Sequence, residues 1–141
     1  MKIKQVSLHK PELLAPAGDF SAALTAFDAG ADAVYAGLSK FNARERTDNF
    51  TEEEMSKLIS YAHKSGRKVY ITLNTLIKEN EIEEVAGLLA KLYPMNPDAL
   101  IVQDIGVVRL IRDYFPAFKI HASTQMGIHN SEGVALAAAG L

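Results

Sequence analysis

Apolar positions along this chain follow two alternating spacings, one near 3.6 residues and one near 2, and the alternation predicts five strand–helix units. Glu12–Gly18 reads as a brief apolar strand closed by Pro16 and Gly18. Asp19 caps a helix whose apolar positions are Phe20, Ala23, Leu24 and Phe27, and Gly30 ends it. Ala31–Gly37 is a second strand, followed by a longer polar loop, Leu38 to Asn49. Thr51 with Glu54 makes a capping box, and Phe50 with Met55 a hydrophobic staple. That helix buries Leu58, Ile59 and Ala62 and stops at Gly66.

Lys68–Asn74 alternates like a strand. Asn80 with Glu83 predicts the start of a third helix, buried through Ile82, Val85, Leu88, Leu89 and Leu92. Pro94 and Pro97 punctuate, and Ala99–Gln103 forms a fourth strand. Asp104 caps a helix carrying Val107, Val108, Leu110, Ile111 and Phe115, closed by Pro116. The stretch Lys119–Asn130 opens as a fifth strand and breaks into a polar loop. Asn130-Ser131-Glu132 then starts a last helix, Ser131 to Leu141.

Strands separated by helices pair in parallel through right-handed crossovers. No linker or charge block interrupts them, so residues 1–141 read as one unit. Two architectures fit five parallel strands. One is a complete doubly wound sheet; the other is the first part of a (β/α)8 TIM-like barrel, which needs eight strands and about 250 residues. No glycine-rich dinucleotide turn follows the first strand, and the chain ends on an apolar, alanine-rich helix, so the incomplete barrel is the expectation. Open edges at the first and fifth strands, and the bare last helix, predict self-association.

Composition narrows the class. The chain has 141 residues, 48% of them apolar and 23% charged, which suits a soluble globular domain. A formal charge of -2 gives no broad basic field, and the absence of cysteine removes thiolate-held metal from this segment. There is neither a signal-peptide core nor a run long enough to span a membrane, so a cytoplasmic protein is expected.

The period of two also sorts the side chains. If Val69, Ile71 and Leu73 face the helices, then Tyr70, Thr72 and Asn74 face inward, with Ile101, Gln103, His121, Ser123 and Tyr35. The polar members of that set nearest the carboxyl ends are Tyr35, Asn74, Gln103, His121 and Ser123. Buried polar groups are costly unless satisfied, so such a ring is expected to be a pocket floor. The bland alternative is a self-satisfied upper layer of the barrel.

Catalytic candidates are His121, Ser123 and Asp104, which could be drawn as a triad. Ser123 is not on a nucleophile elbow, however, and i,i+2 neighbours on a strand diverge. His121 is the better general acid/base. His121 and His129 with Asp104 lack a metal-binding pattern, so no metal is assigned. Arg44 and Arg46 in the long loop are either solvated or an anion clamp. Asn42, Asn74, Thr124, Gln125 and Asn130 would orient a small polar substrate or a base edge.

Six ordered motifs carry a resemblance. They are Leu14-Ala-Pro-Ala-Gly-Asp19, Gly30-Ala-Asp-Ala-Val-Tyr35, Phe41-Asn-Ala-Arg44 with Asn49-Phe50, Val69-Tyr-Ile-Thr-Leu-Asn-Thr75, Ile101-Val-Gln-Asp104 and Ile120-His-Ala-Ser-Thr-Gln-Met126. From about Pro11 onward the chain resembles the amino-terminal part of the collagenase-like peptidase family. The resemblance implies a truncated barrel-like catalytic domain, inactive alone. It implies either proteolysis of peptide substrates or hydroxylation of transfer or ribosomal RNA bases or of quinone precursors. It also implies, for some relatives, an iron–sulfur cluster on downstream cysteines that this chain does not contain. A non-catalytic binding module using the same pocket is the third expectation.

Overall fold

The computed structural model describes residues 10–43 and 49–139. Five parallel strands alternate with five helices: β1 (Leu14–Pro16), α1 (Phe20–Asp28), β2 (Ala33–Gly37), α2 (Glu52–Lys64), β3 (Lys68–Leu73), α3 (Ile82–Leu92), β4 (Ala99–Val102), α4 (Ile105–Tyr114), β5 (Ile120–Ala122) and α5 (Ser131–Ala138). The strands form one sheet in the order β1-β2-β3-β4-β5. That sequential order argues against the doubly wound sheet and is compatible with the incomplete barrel. A doubly wound sheet reverses its strand order at a switch point, and this sheet never reverses. It has the order of consecutive units of a (β/α)8 barrel.

A sheet wound in one direction keeps its helices on one face. Val34, Ala36, Val69, Ile71, Leu73, Leu100 and Val102 join the helix residues Phe27, Met55, Leu58, Ile59, Leu89 and Ile111 in the main core. The opposite face holds only a small cluster of Ala33, Tyr70 and Ala99, with Tyr35 and Ile101 against it. The alternation expected for β3 is therefore the observed one.

The helix starts follow their caps. Asp19 Oδ1 accepts from Ala22 N at 2.7 Å, and Asp104 Oδ1 from Val107 N at 3.1 Å. The Thr51–Glu54 capping box forms, with Phe50 and Met55 both buried beneath it. The third helix corrects the expectation. A 3-10 turn at Glu79–Glu81 precedes α3, and Glu81 closes onto the Lys78 amide at 2.8 Å, so Asn80 is inside the turn and caps nothing. The last helix buries no residue and leaves Val134 and Leu136 exposed. None of the described helices is long and apolar enough to cross a membrane.

Candidate functional site

The face of the sheet opposite the helices holds a cavity of about 700 Å³ toward the carboxyl ends of the strands. Its floor is a single row across four strands: Gly37 is in register with Thr72, Thr72 with Ile101, and Ile101 with His121. All four residues line the cavity, as do Tyr35, Asn42, Asn49, Asn74, Ser123, Thr124 and Gln125. Among the described residues, none that lines it is an aspartate, glutamate, lysine or arginine.

The wall over β2 comes from the segment after it. Phe41 adopts φ 62°, a left-handed conformation unfavourable for an aromatic residue, and this turns Asn42 inward. Asn42 is 3% exposed and donates from Nδ2 to the Leu38 carbonyl and, at 3.3 Å, to Asn49 Oδ1. It lies directly on Gly37, where an added Cβ would meet Asn42 Cγ at 2.7 Å and Thr72 Oγ1 at 2.9 Å. Asn74 ties the same segment to β3, its Oδ1 accepting from Ala43 N at 3.1 Å. Thr72 Oγ1 donates to the Ala36 carbonyl at 3.2 Å.

The fifth unit supplies the opposite wall. The His121 ring meets Tyr70 edge-on at 4.9 Å, and no hydrogen bond engages its nitrogens among the described residues. Ser123 is buried, and its Oγ accepts from Gln125 N at 3.2 Å, capping the 3-10 turn Thr124–Met126. Below the floor, Tyr70 OH donates to Glu12, which also pairs with Lys68. Those two hydrogen bonds, Lys68 first, hold the Glu12 carboxyl below its ordinary range. Burial, together with the Glu12 contact, pushes the Tyr70 phenol up to about 12.

Of the residues singled out in the sequence, Tyr35, Asn42, Asn74, His121, Ser123, Thr124 and Gln125 come together around this cavity. Three others do not line it. Gln103 turns its Nε2 to the Gln125 carbonyl at 3.3 Å. Asp104 has both oxygens engaged, one by Val107 N and the other by Ile77 N at 3.1 Å. Asn130 caps α5 through Gly133 N at 2.9 Å. Arg44 and Arg46 lie outside the described residues. Asp104 therefore stands apart from His121 and Ser123 as a helix cap, and no hydrogen bond joins His121 to Ser123. Asn49 and Gly37 were not anticipated, and the signal for Gly37 was its place as the last residue of a strand facing a loop rich in amides.

The residues fit no iron–sulfur cluster, since the chain has no thiolate to offer. Among the described residues, no three His, Asp or Glu side chains gather as a metal site.

Comparison with known proteins places this geometry in a lineage. Residues 18–140 match the family model described as Peptidase family U32. The chain is 42% identical over 120 residues to an uncharacterized protease of Methanocaldococcus jannaschii, covering 85% of this chain and 29% of the relative. It is 42% identical over 127 residues to a 23S rRNA 5-hydroxycytidine synthase of Escherichia coli, covering 90% and 19%. It is 31% identical over 124 residues to a collagenase of Porphyromonas gingivalis, covering 87% and 30%. The chain thus spans between a fifth and a third of the length of these relatives. Among solved structures, a U32 peptidase superposes with a TM-score of 0.68 at 11% identity, covering 94% of this chain and 56% of that one, which is a likeness of fold. With its family model matched over nearly all its length, this chain belongs to peptidase family U32.

Proposed function

We propose that the protein carrying this chain modifies bases of RNA by hydroxylation, and that the cavity receives the base. The observation that supports this reading most is the character of the lining. Amides and hydroxyls from Asn42, Asn49, Asn74, Thr72, Ser123, Thr124 and Gln125 surround it, with an imidazole and a phenol and, among the described residues, no full charge. Neutral side-chain amides read the donors and acceptors of a base edge, and an aromatic ring offers a stacking surface. Relatives named for ribosomal and transfer RNA hydroxylation, among them a tRNA hydroxylation protein of Escherichia coli at 38% identity, support the same reading.

In this reading Tyr35 and Ile101 form the apolar bed, Asn74 and Ser123 the hydrogen-bonding wall. His121, with free nitrogens at the floor, is the group placed to take or give a proton. No step is assigned to a cofactor, because nothing in this chain would hold an iron–sulfur cluster.

The family's name supports a second reading, a peptidase, for which His121 beside Ser123 is the favouring observation. Hydrolysis through that pair needs an orienting carboxylate, and the Asp104 side chain is held by two backbone amides away from them. The test is a nucleoside profile of RNA from a strain lacking the gene, set beside gelatin cleavage by the purified full-length protein. Loss of one hydroxylated nucleoside, restored by the wild-type gene and not by His121→Ala, is the expected result. An unchanged profile together with cleavage that depends on His121 would replace this reading with the peptidase.

A further inference from the structure

The two ends of the Asn74 side chain face different tasks, and the protein fixes which end does which. A backbone N–H only donates, so the atom facing Ala43 N at 3.1 Å must be the amide oxygen. The amide is thereby held against a flip: turning it over would set Nδ2 against another donor and leave the Ala43 N–H unpaired. The segment it holds is itself tightly placed, with Phe41 in a left-handed conformation and Asn42 seated on Gly37. Nδ2 is then the end that remains, with no hydrogen-bond partner among the described residues, on a side chain that lines the cavity.

The neighbouring groups are constrained less sharply. Thr72 has its proton on the Ala36 carbonyl and so turns a lone pair outward. Ser123 Oγ accepts from Gln125 N, which leaves its own proton to rotate toward any acceptor. Of these three residues, Asn74 is the one whose remaining donor is fixed by a backbone N–H on its other end.

We infer that Asn74 is a specificity-determining residue, a pre-set N–H donor for a carbonyl oxygen on the edge of the bound base, held in that sense by the Ala43 amide. This rests on the base-binding reading above. A ligand with a carbonyl at that position gains a hydrogen bond at no cost in reorganisation. A ligand presenting an amino group there would set donor against donor.

Asn74→Asp separates the two tasks, since the carboxylate still accepts from Ala43 N but has no hydrogen to give. Asn74→Ala removes both. The probes are uridine, 2-thiouridine and 4-thiouridine, titrated calorimetrically into the full-length protein. Sulfur is a weaker acceptor than oxygen, and the uncharged nucleosides avoid repulsion between phosphate and the new carboxylate.

For wild type, one of the two thio-nucleosides should bind about tenfold more weakly than uridine. For Asn74→Asp, uridine itself should weaken about tenfold, and that sulfur substitution should have no further effect. Amide exchange at Ala43 should stay slow in Asn74→Asp and become fast in Asn74→Ala, which shows that the first variant keeps the segment in place. Equal sulfur sensitivity in wild type and Asn74→Asp would overturn the donor assignment while leaving the base pocket standing. Failure of wild type to bind any of the three nucleosides would overturn the base-binding reading, and the ligand given to Asn74 with it.

Discussion

Gly37 is the residue on which the cavity wall depends most directly. Its missing side chain is the space Asn42 occupies, with Thr72 closing the other side. Gly37→Ala would force Asn42 off the Leu38 carbonyl or push β3 outward. We expect it to destabilise the protein by about 1–3 kcal/mol in urea denaturation, as overpacking does. A variant with wild-type stability would show that the wall yields freely. At this scale the sequence was informative about faces and less so about roles. The period of two placed Thr72, Asn74, His121 and Ser123 on the cavity side. It did not separate Asp104 the helix cap from Asp104 the catalytic acid, because an aspartate at a strand-to-helix junction suits both. Asn130 stands at the same kind of junction and caps α5. Asn42 was legible as a polar loop residue, but its burial follows from the left-handed Phe41, which nothing local announces.

Elements are joined across the sheet by a network that strand pairing alone does not provide. Glu12, just ahead of β1, passes β2 to reach Lys68 and Tyr70 on β3. Asp32 accepts from Leu13 N at 2.8 Å, and Asp98 from Val69 N at 2.9 Å and the His63 ring at 3.1 Å. His63 therefore has a carboxylate partner in addition to its place in the last turn of α2. These links join residues far apart in sequence, so no window of the chain displays them, whereas capping boxes and stop glycines were readable within one turn.

The network carries a pH signature. The Glu12 carboxyl titrates below its ordinary value of 4.5, so its contribution is present above that value and disappears as pH falls through the lowered one. The Tyr70 phenol keeps its proton up to about 12 instead of 10.0. Its contribution is therefore complete below pH 10.0 and is lost as pH rises through about 12. Chemical denaturation across pH should show both arms, with Glu12→Gln flattening the acid arm and Tyr70→Phe the alkaline one. An alkaline arm unchanged in Tyr70→Phe would assign it elsewhere.

On the scale of the whole molecule, the described residues leave two edges of the sheet unpaired and cover one of its faces with helices. Leu13 and Leu14 are exposed beside the β1 edge, and Val134 and Leu136 stand 58% and 62% exposed on α5. Such surfaces draw partners, and we expect this 141-residue chain to associate with itself in a concentration-dependent way. Sedimentation equilibrium checks this, and the double variant Val134→Glu, Leu136→Glu should shift the chain toward monomer. A single species of monomeric mass at high concentration for the unaltered chain would refute it. The strand order was foreseeable because no dinucleotide turn argued for a reversal. The amide-rich character of the described lining was not, since it depends on which loop residues fold over the floor.

Because each strand lends alternate side chains to the two surfaces, the positions that pack on the helices and those that line the cavity are largely different sets. Val69, Ile71 and Leu73 answer to the helices, while Thr72 and Asn74, interleaved with them, answer to whatever enters. Substitution of Thr72 or Asn74 leaves the helix-facing contacts of Val69, Ile71 and Leu73 in place. One scaffold with this division of labour can diversify its chemistry without refolding, which gives a physical reason why relatives of similar sequence bear names as distant as collagenase and 23S rRNA 5-hydroxycytidine synthase.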